Sequence, residues 1–387
     1  MKITSNTVIL SAIIAKVSKA CSRNKLGLPI LQYLLFKKEE NDYTIIASSE
    51  DLWVQHRIEF TNVEGEWHDF CLPMGAVTAA VAMLPDQSIT IEVADESDNG
   101  SYSAKFTTIG ERGKVTTFES VTISSDEYPI RKVEGDMVTV SVPVKSLLTC
   151  MKEASKYVAQ DLLHPVLNGI FLLFEQSCFV AVGTDGHKLY RNRIKCEVEG
   201  LEQNQQVSVD VPVGVVSILS LCAKDSENLT VGISDKSVCF IMNDAIVISS
   251  IYEGRYPNYD SVIPDNDKVA IFNKQELTKS IRLVRNFVSA STDILCLNFS
   301  GSMFMELLGF DNDFSLSAKD SLIIADSENI GQLRIGMSAS SLLVCLSDIQ
   351  TENVKMKFMD SSHAVTIHED SEDSELLILL MPMQLDD

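Results

Sequence analysis

Mid-chain, Asp185-Gly186-His187 places a carboxylate two residues from an imidazole, a pairing that can serve general-base chemistry. No companion nucleophile is identifiable, and Thr184-Asp185-Gly186 is also a plain turn signature, so the turn reading is the stronger one. The acidic run Glu369-Asp370-Ser371-Glu372-Asp373 has the composition of a Mg²⁺ carboxylate cluster but reads better as a solvated loop. The chain carries no G-x-x-x-x-G-K-[ST], no G-x-G-x-x-G after a strand, no G-x-S-x-G and no H-E-x-x-H, so phosphate-cradling and common hydrolytic machinery are not indicated. Its nine cysteines include no C-x-x-C pair, and its six histidines do not join them at metal-ligand spacing. This pattern fits reduced, mostly buried thiols. A structural zinc is not expected; nor is any other metal, a catalytic residue or a cofactor.

A second stretch offers binding rather than catalysis. Leu376-Leu377-Ile378-Leu379-Leu380-Met381-Pro382-Met383-Gln384-Leu385 fits a buried strand that finishes in a Met-Pro-Met-x-Leu lip. Methionine and leucine beside a rigid proline make a soft apolar surface of the kind that holds partner peptides. The bland reading is the frayed end of a core strand, which composition alone favours.

These segments need a scaffold. A chain of 387 residues with 45% hydrophobic content is long enough for two or three packed domains. No apolar run reaches the roughly 18 residues of a membrane span, and Met1-Lys2-Ile3-Thr4-Ser5-Asn6 lacks a signal-peptide layout. A cytoplasmic location without membrane contact is expected.

The scaffold reads as one unit repeated about every 130 residues,. Each unit opens with an amphipathic helical stretch: Asn6 to Lys25, Pro143 to Gln160 and Asn273 to Ser289. Apolar residues recur there at helical spacing, as in Val8, Leu10, Ile13, Ile14 and Val17,. A strand-like run follows in each, Leu28 to Phe36, His164 to Phe174 and Asp293 to Phe299, then a second helix at Pro73 to Leu84, Pro212 to Ala223 and Ala339 to Ile349. Alternating runs such as Ser88 to Val93 and Ala364 to Ile367 read as antiparallel sheet. The predicted fold is α+β: three repeated domains, each of two helices plus antiparallel sheets, over residues 1–131, 132–264 and 265–387.

Charge is distributed against the average. The chain carries a net −22, which argues against general adhesion to nucleic acid. Yet Lys16, Lys19, Arg23 and Lys25 stand unopposed in the first helical stretch, giving +4. Lys145, Lys152 and Lys156 against Glu153 give +2. Lys274, Lys279, Arg282 and Arg285 against Glu276 give +3. One basic helix per repeat is an electrostatic footprint for a polyanion, although lysine and arginine also favour solvated helix faces. No stacking aromatics are interleaved, so base-specific or single-strand reading is not indicated.

Leu28-Pro29-Ile30-Leu31, Leu167-Asn168-Gly169, Thr184-Asp185-Gly186-His187-Lys188-Leu189, Glu253-Gly254-Arg255-Tyr256-Pro257-Asn258-Tyr259 through Val262-Ile263-Pro264, and Met381-Pro382-Met383-Gln384-Leu385 together resemble the bacterial DNA polymerase III β subunit, the replication sliding clamp. The resemblance runs the full chain. It implies the clamp fold in a head-to-tail homodimeric ring that encircles double-stranded DNA without regard to sequence. Such a ring is a non-catalytic processivity factor. The resemblance further implies a pocket for short linear motifs of the replicative polymerase, the clamp loader, repair polymerases and mismatch-repair proteins. The positions matching that pocket are Leu167, Thr184, Gly186, His187, Lys188, Leu189, Pro257, Val262, Ser340, Leu379, Met381, Pro382 and Met383.

Carry-over makes Lys25 and Gln160 candidate DNA contacts, beside Lys16, Lys19, Arg23, Lys152, Lys156, Lys279 and Arg282 of the basic stretches. Phe118 and Phe287 become candidate interface residues, with core aromatics as the alternative. Asp260-Ser261 and Gln384 stand where the family often has arginine, and Asp386-Asp387 extend past the usual end; all lower the positive charge at the pocket rim. The remaining readings are a repeat-built hydrolase or sugar-modifying enzyme using Asp185 and His187, and an acidic protein-binding scaffold without a DNA role.

Overall fold

The computed structural model describes residues 1–22, 27–94, 102–110, 113–132, 136–161, 163–223, 226–311 and 313–385. These contain six α-helices: α1 (Thr7–Val17), α2 (Met74–Ala82), α3 (Val144–Ala154), α4 (Gly214–Cys222), α5 (Lys274–Val284) and α6 (Ala339–Asp348). In chain order a strand, a helix, four strands, a second helix and three strands recur three times; the first and third rounds each add a three-residue strand, Asn62–Glu64 and Asp326–Glu328. None of these helices is long and apolar enough to cross a membrane.

The chain folds into two compact units. The first comprises Met1–Leu148 with Val198–Ile251, the second Thr149–Glu197 with Tyr252–Asp387.

Unit 1 is built on a thirteen-stranded sheet. Its continuity depends on the pairing of Ala245–Ser250 with Leu52–Ile58, where Val247 faces Val54. Leu35, Ile46, Trp53, Cys71, Tyr128, Cys239 and Ile248 form a buried cluster over this sheet. Helix α1 turns Leu10, Ile13, Ile14 and Val17 inward, the three-and-four spacing that keeps one helical face apolar. Asn6 caps it, its side chain accepting from the backbone of Val8 and Ile9, which satisfies two of the orphan amides of the first turn. Strand Val115–Ser124 pairs with Tyr102–Ile109 along its length. On its other side it meets Phe70–Pro73 only at Ile123 and Ser124. Most of that strand is therefore a sheet edge within the unit.

Unit 2 has a sheet running from Gly169–Glu175 through Cys178–Thr184, Lys188–Lys195, Leu377–Leu380, Val365–Glu369, Asn353–Phe358 and Lys268–Asn273 to Asp326–Glu328. A second, four-stranded sheet is ordered Leu316–Ile323, Phe304–Asp311, Ile294–Ser300, Gln332–Ser338. Helix α5 lies against α6 and against the first two of these strands.

The structure corrects the expected element boundaries in one consistent way. The runs opening with Leu28-Pro29 and His164-Pro165 begin as 3₁₀ turns, Pro29–Gln32 and Pro165–Asn168, and the strands start only at Tyr33 and Gly169. Proline at the first turn position has the right φ and no N–H to lose there. The basic helices are shorter than their amphipathic stretches. Helix α1 ends at Val17 and gives way to a 3₁₀ turn, Ser18–Ala20. Pro143 closes a strand immediately before α3 rather than lying in its first turn. Helix α5 passes into the 3₁₀ turn Arg285–Phe287.

Candidate functional site

Four separate segments of unit 2 converge on one apolar cluster. Val180, Val182, Leu189, Tyr256, Ala364, Leu377 and Leu379 are buried together, with Val166, Phe171, Leu173, Tyr259 and Ile263 packed around them. Strand pairing sets part of this, since Leu189 faces Leu379 and Lys188 faces Leu380. Aromatic contact sets another part. The Tyr256 ring stacks on Phe171 at 4.7 Å, and Tyr259 meets the same ring at 5.9 Å.

The turn between strands Cys178–Thr184 and Lys188–Lys195 rims this cluster. The Asp185 carboxylate accepts the backbone N–H groups of His187 and Lys188 at 2.9 and 2.8 Å. Thr184 Oγ1 accepts from the Gly186 N–H and donates to the Lys188 carbonyl. Gly186 has φ +86°, a left-handed conformation that glycine adopts without strain. Asp185 is thus committed to holding its own turn, and His187 stands exposed beside it. The Asp–His pair forms a turn, not an acid–base device.

The C-terminal run divides into both of its expected parts. Leu377–Leu380 is a fully buried strand, whereas Met381 and Met383 are 40% and 36% exposed. The Met381 N–H donates to the His187 carbonyl at 2.8 Å, so the lip and the turn are physically joined. Val262 and Pro257 are exposed on the adjoining segment, which Arg191 ties down through Asp260 at 3.2 Å. Leu167 is half-buried, and its N–H donates to the His164 carbonyl while its own carbonyl accepts from Ala159. Ser340 is tied to the start of α6: its N–H donates to Asp293 at 2.7 Å and its hydroxyl meets that of Ser338.

The cations proposed for a polyanion separate into two kinds. Lys19, Lys152, Lys279, Arg282 and the amide Gln160 are exposed. Lys16 and Lys156 are instead tied to buried partners, although Lys156 itself keeps about a third of its side chain exposed. Lys16 Nζ lies 3.1 Å from Nε2 of buried His56, whose Nδ1 is 2.7 Å from the Arg57 carbonyl. The carbonyl needs a proton on Nδ1, which leaves Nε2 to accept from the ammonium. Burial, reinforced by Lys16, holds the His56 pKa below its ordinary value. Lys156 donates to the carboxylate of Asp348, which is 1% exposed, and Tyr157 Oη donates to the other oxygen at 2.9 Å. Charge counting along the chain missed both ties because the partners are distant in sequence. Arg23, Lys25 and the terminal Asp386-Asp387 lie outside the described residues.

Phe118 stacks on buried Phe106 at 4.6 Å, so its ring is partly used within its own sheet. Val115 and Val121 of the same edge strand, with Ile109 beside them, are the more exposed apolar groups. In unit 2, Phe287 projects at the end of α5, and the terminal strand Leu316–Ile323 exposes Leu316 and Ile323 next to Phe304 and Phe310. Apart from Phe287, these residues were not singled out from sequence, although exposed apolar groups set among Ser and Thr are the available signal.

The strand–helix order repeated three times over antiparallel sheets is the architecture of the DNA clamp fold. Residues 141–258 match the family described as DNA polymerase III beta subunit, central domain. The Bacillus subtilis beta sliding clamp is 21% identical over 393 aligned positions, covering 99% of this chain and 100% of its own. The solved DNA polymerase III beta subunit of Thermotoga maritima superposes over 100% of both chains with a TM-score of 0.87 at 21% identity. A Pseudomonas aeruginosa sliding clamp bound to griselimycin does so with a TM-score of 0.88 at 20% identity. The chain shares the fold of the DNA polymerase III β subunits along its whole length, and residues 141–258 match the central-domain family of those subunits.

Proposed function

We propose that this chain is a non-catalytic processivity factor of DNA replication. Three domains (residues 1–131, 132–264 and 265–387) make one protomer, and two protomers joined head to tail close a cytoplasmic ring around duplex DNA. The observation that carries this reading is the superposition on sliding clamps over the entire chain. Two further features support it. Each unit has a strand edge with exposed apolar residues: most of Val115–Ser124, which meets its second neighbour only at Ile123 and Ser124, and Leu316–Ile323, which ends its sheet. Joining the first edge of one protomer to the second edge of its partner covers both of these apolar edges. The exposed cations on the first helix of each repeat give a few salt-sensitive phosphate contacts, which suits a link that slides rather than grips.

The apolar cluster beneath the 184–188 turn, flanked by Val262, Pro257 and the Met381–Met383 lip, is the slot for partner motifs. It has the apolar floor and few polar handles that an extended peptide requires. The occupants are short segments of the replicative polymerase, the clamp loader, repair polymerases and mismatch-repair proteins. Asp260, Ser261 and Gln384 make its rim less basic than the usual form, which shifts motif preference away from acidic flanks.

Loading onto nicked circular DNA by the cognate clamp loader tests the ring. Protein retained at high salt on the circle and released when the circle is linearised is the expected result. Retention that survives linearisation, or loss at high salt from the intact circle, contradicts encirclement. For the slot, Met381→Ala and Pro257→Ala each weaken a polymerase-derived peptide about tenfold while the oligomeric mass stays unchanged; equal affinity removes these residues from it.

A further inference from the structure

We infer that Gly336 is a positioning residue for the peptide lip, because it lets the C-terminal tail strap across an open sheet edge; this rests on the slot reading above. Gly336 lies within strand Gln332–Ser338, paired on one side with Cys296 of Ile294–Ser300. That strand ends the order of its four-stranded sheet. Its free side at Gly336 is taken by Met383, whose N–H donates to the Gly336 carbonyl at 2.8 Å as an isolated antiparallel bridge.

The approach is closer than any side chain permits. A Cβ at Gly336 would stand 2.4 Å from the Met383 carbonyl oxygen and 3.0 Å from a Leu385 methyl. The nearer atom is backbone and cannot swing aside. Gly336 does not have a positive φ, so glycine is required here for the approach of a second backbone and not for its own conformation.

The consequence falls on the lip. The Met381 N–H is held by the His187 carbonyl and the Met383 N–H by Gly336, both at 2.8 Å. Between them stands Pro382, which has no N–H and a fixed φ. Three residues are thus pinned at both ends with a rigid joint in the middle, while the side chains of Met381 and Met383 stay exposed. The strap joins the two sheets of unit 2, since Leu380 ends a strand of one and Met383 bridges to the edge of the other. It also walls a cavity of about 520 Å³ lined by Arg334, Gly336, Ser361 and Ser362. A lip ordered before the ligand arrives avoids the ordering cost at binding.

The test uses the full-length protein, griselimycin as the probe, and amide exchange at Met383. Gly336→Ala is expected to lose protection at the Met383 amide and to bind griselimycin about tenfold more weakly, with the oligomeric mass unchanged. Leu385→Ala loosens the same strap without touching the buried strand. It is expected to shift both readouts in the same direction by less, and it decides the matter if Gly336→Ala fails to fold. Variants that lose Met383 protection yet bind like the wild type overturn the strap's role in binding. Unchanged protection in Gly336→Ala overturns the claim that glycine permits the docking. A wild type that fails to bind griselimycin overturns the slot reading itself, a result distinct from either.

Discussion

Lys152 and Lys156 are one helical turn apart and behave as different chemical objects. Lys152 is exposed at the end of α3. Lys156 is bonded to Asp348, a carboxylate at 1% exposure that also receives the Tyr157 hydroxyl. The same contrast recurs in unit 1, where Lys19 is exposed and Lys16 donates to buried His56. Basic residues on a repeated helix therefore do two jobs. Some present charge to solvent, and others donate to a buried acceptor within their own unit. A count of charges along the chain cannot separate the two.

The contrast predicts a large difference in stability. Lys156→Met leaves the buried Asp348 carboxylate with the Tyr157 hydroxyl but without its cation, and such a half-stranded acceptor costs about 1–3 kcal/mol, read as a lowered urea midpoint. Lys152→Met removes no partner and is expected to change stability by less than about 0.5 kcal/mol. Equal effects would erase the distinction.

The reverse ordering is expected for DNA. Neutralising Lys152, Lys279 and Arg282 together lowers the dependence of binding on salt by roughly 0.9 per cation in the log–log slope. Replacing Lys16 and Lys156 with glutamine lowers it less, because those ammonium groups face protein acceptors. Salt titration of duplex binding measures both; a larger effect from the tied pair would invert the assignment.

The smallest expected effect is on pH, and it separates the two tied lysines. Burial lowers the folded-state pKa of His56 below its unfolded value. Its contribution to stability is therefore complete above about pH 6.5 and is lost as pH falls through that value toward the folded pKa. Protonated His56 no longer accepts from Lys16, so acid frees Lys16. His368, pushed down to about 4 by burial and by Lys357, contributes with the same sign between about 6.5 and 4. Unfolding followed against pH in a His368→Gln background, with and without His56→Gln, cancels the opposing contribution of Asp210, which burial raises to about 7; the difference between the two curves is that of His56, and no difference contradicts its lowered pKa.

Much of this molecule was legible in its sequence for local reasons. Apolar spacing located all six helices, and Thr184-Asp185-Gly186 carried its turn chemistry in its own side chains. The apolar run Leu376 to Leu380 declared a buried strand. What escaped depends on contact between remote residues. Asp348 is 192 residues from Lys156, and Gly336 matters only because Met383 returns to it. The edge strands escaped because a pattern of alternating residues does not say whether a neighbouring strand will cover it. The Pro-containing runs were read as strands from their apolar content, while proline, with its fixed φ and no N–H to lose, opens each as a 3₁₀ turn,.

The central claim is a hollow ring of two copies, and solution scattering of the size-fractionated protein tests it most directly. The account predicts a mass near twice 42.8 kDa with the pair-distance distribution of a hollow ring. A compact, filled dimer of the same mass would contradict it, and so would a stable monomer at working concentration.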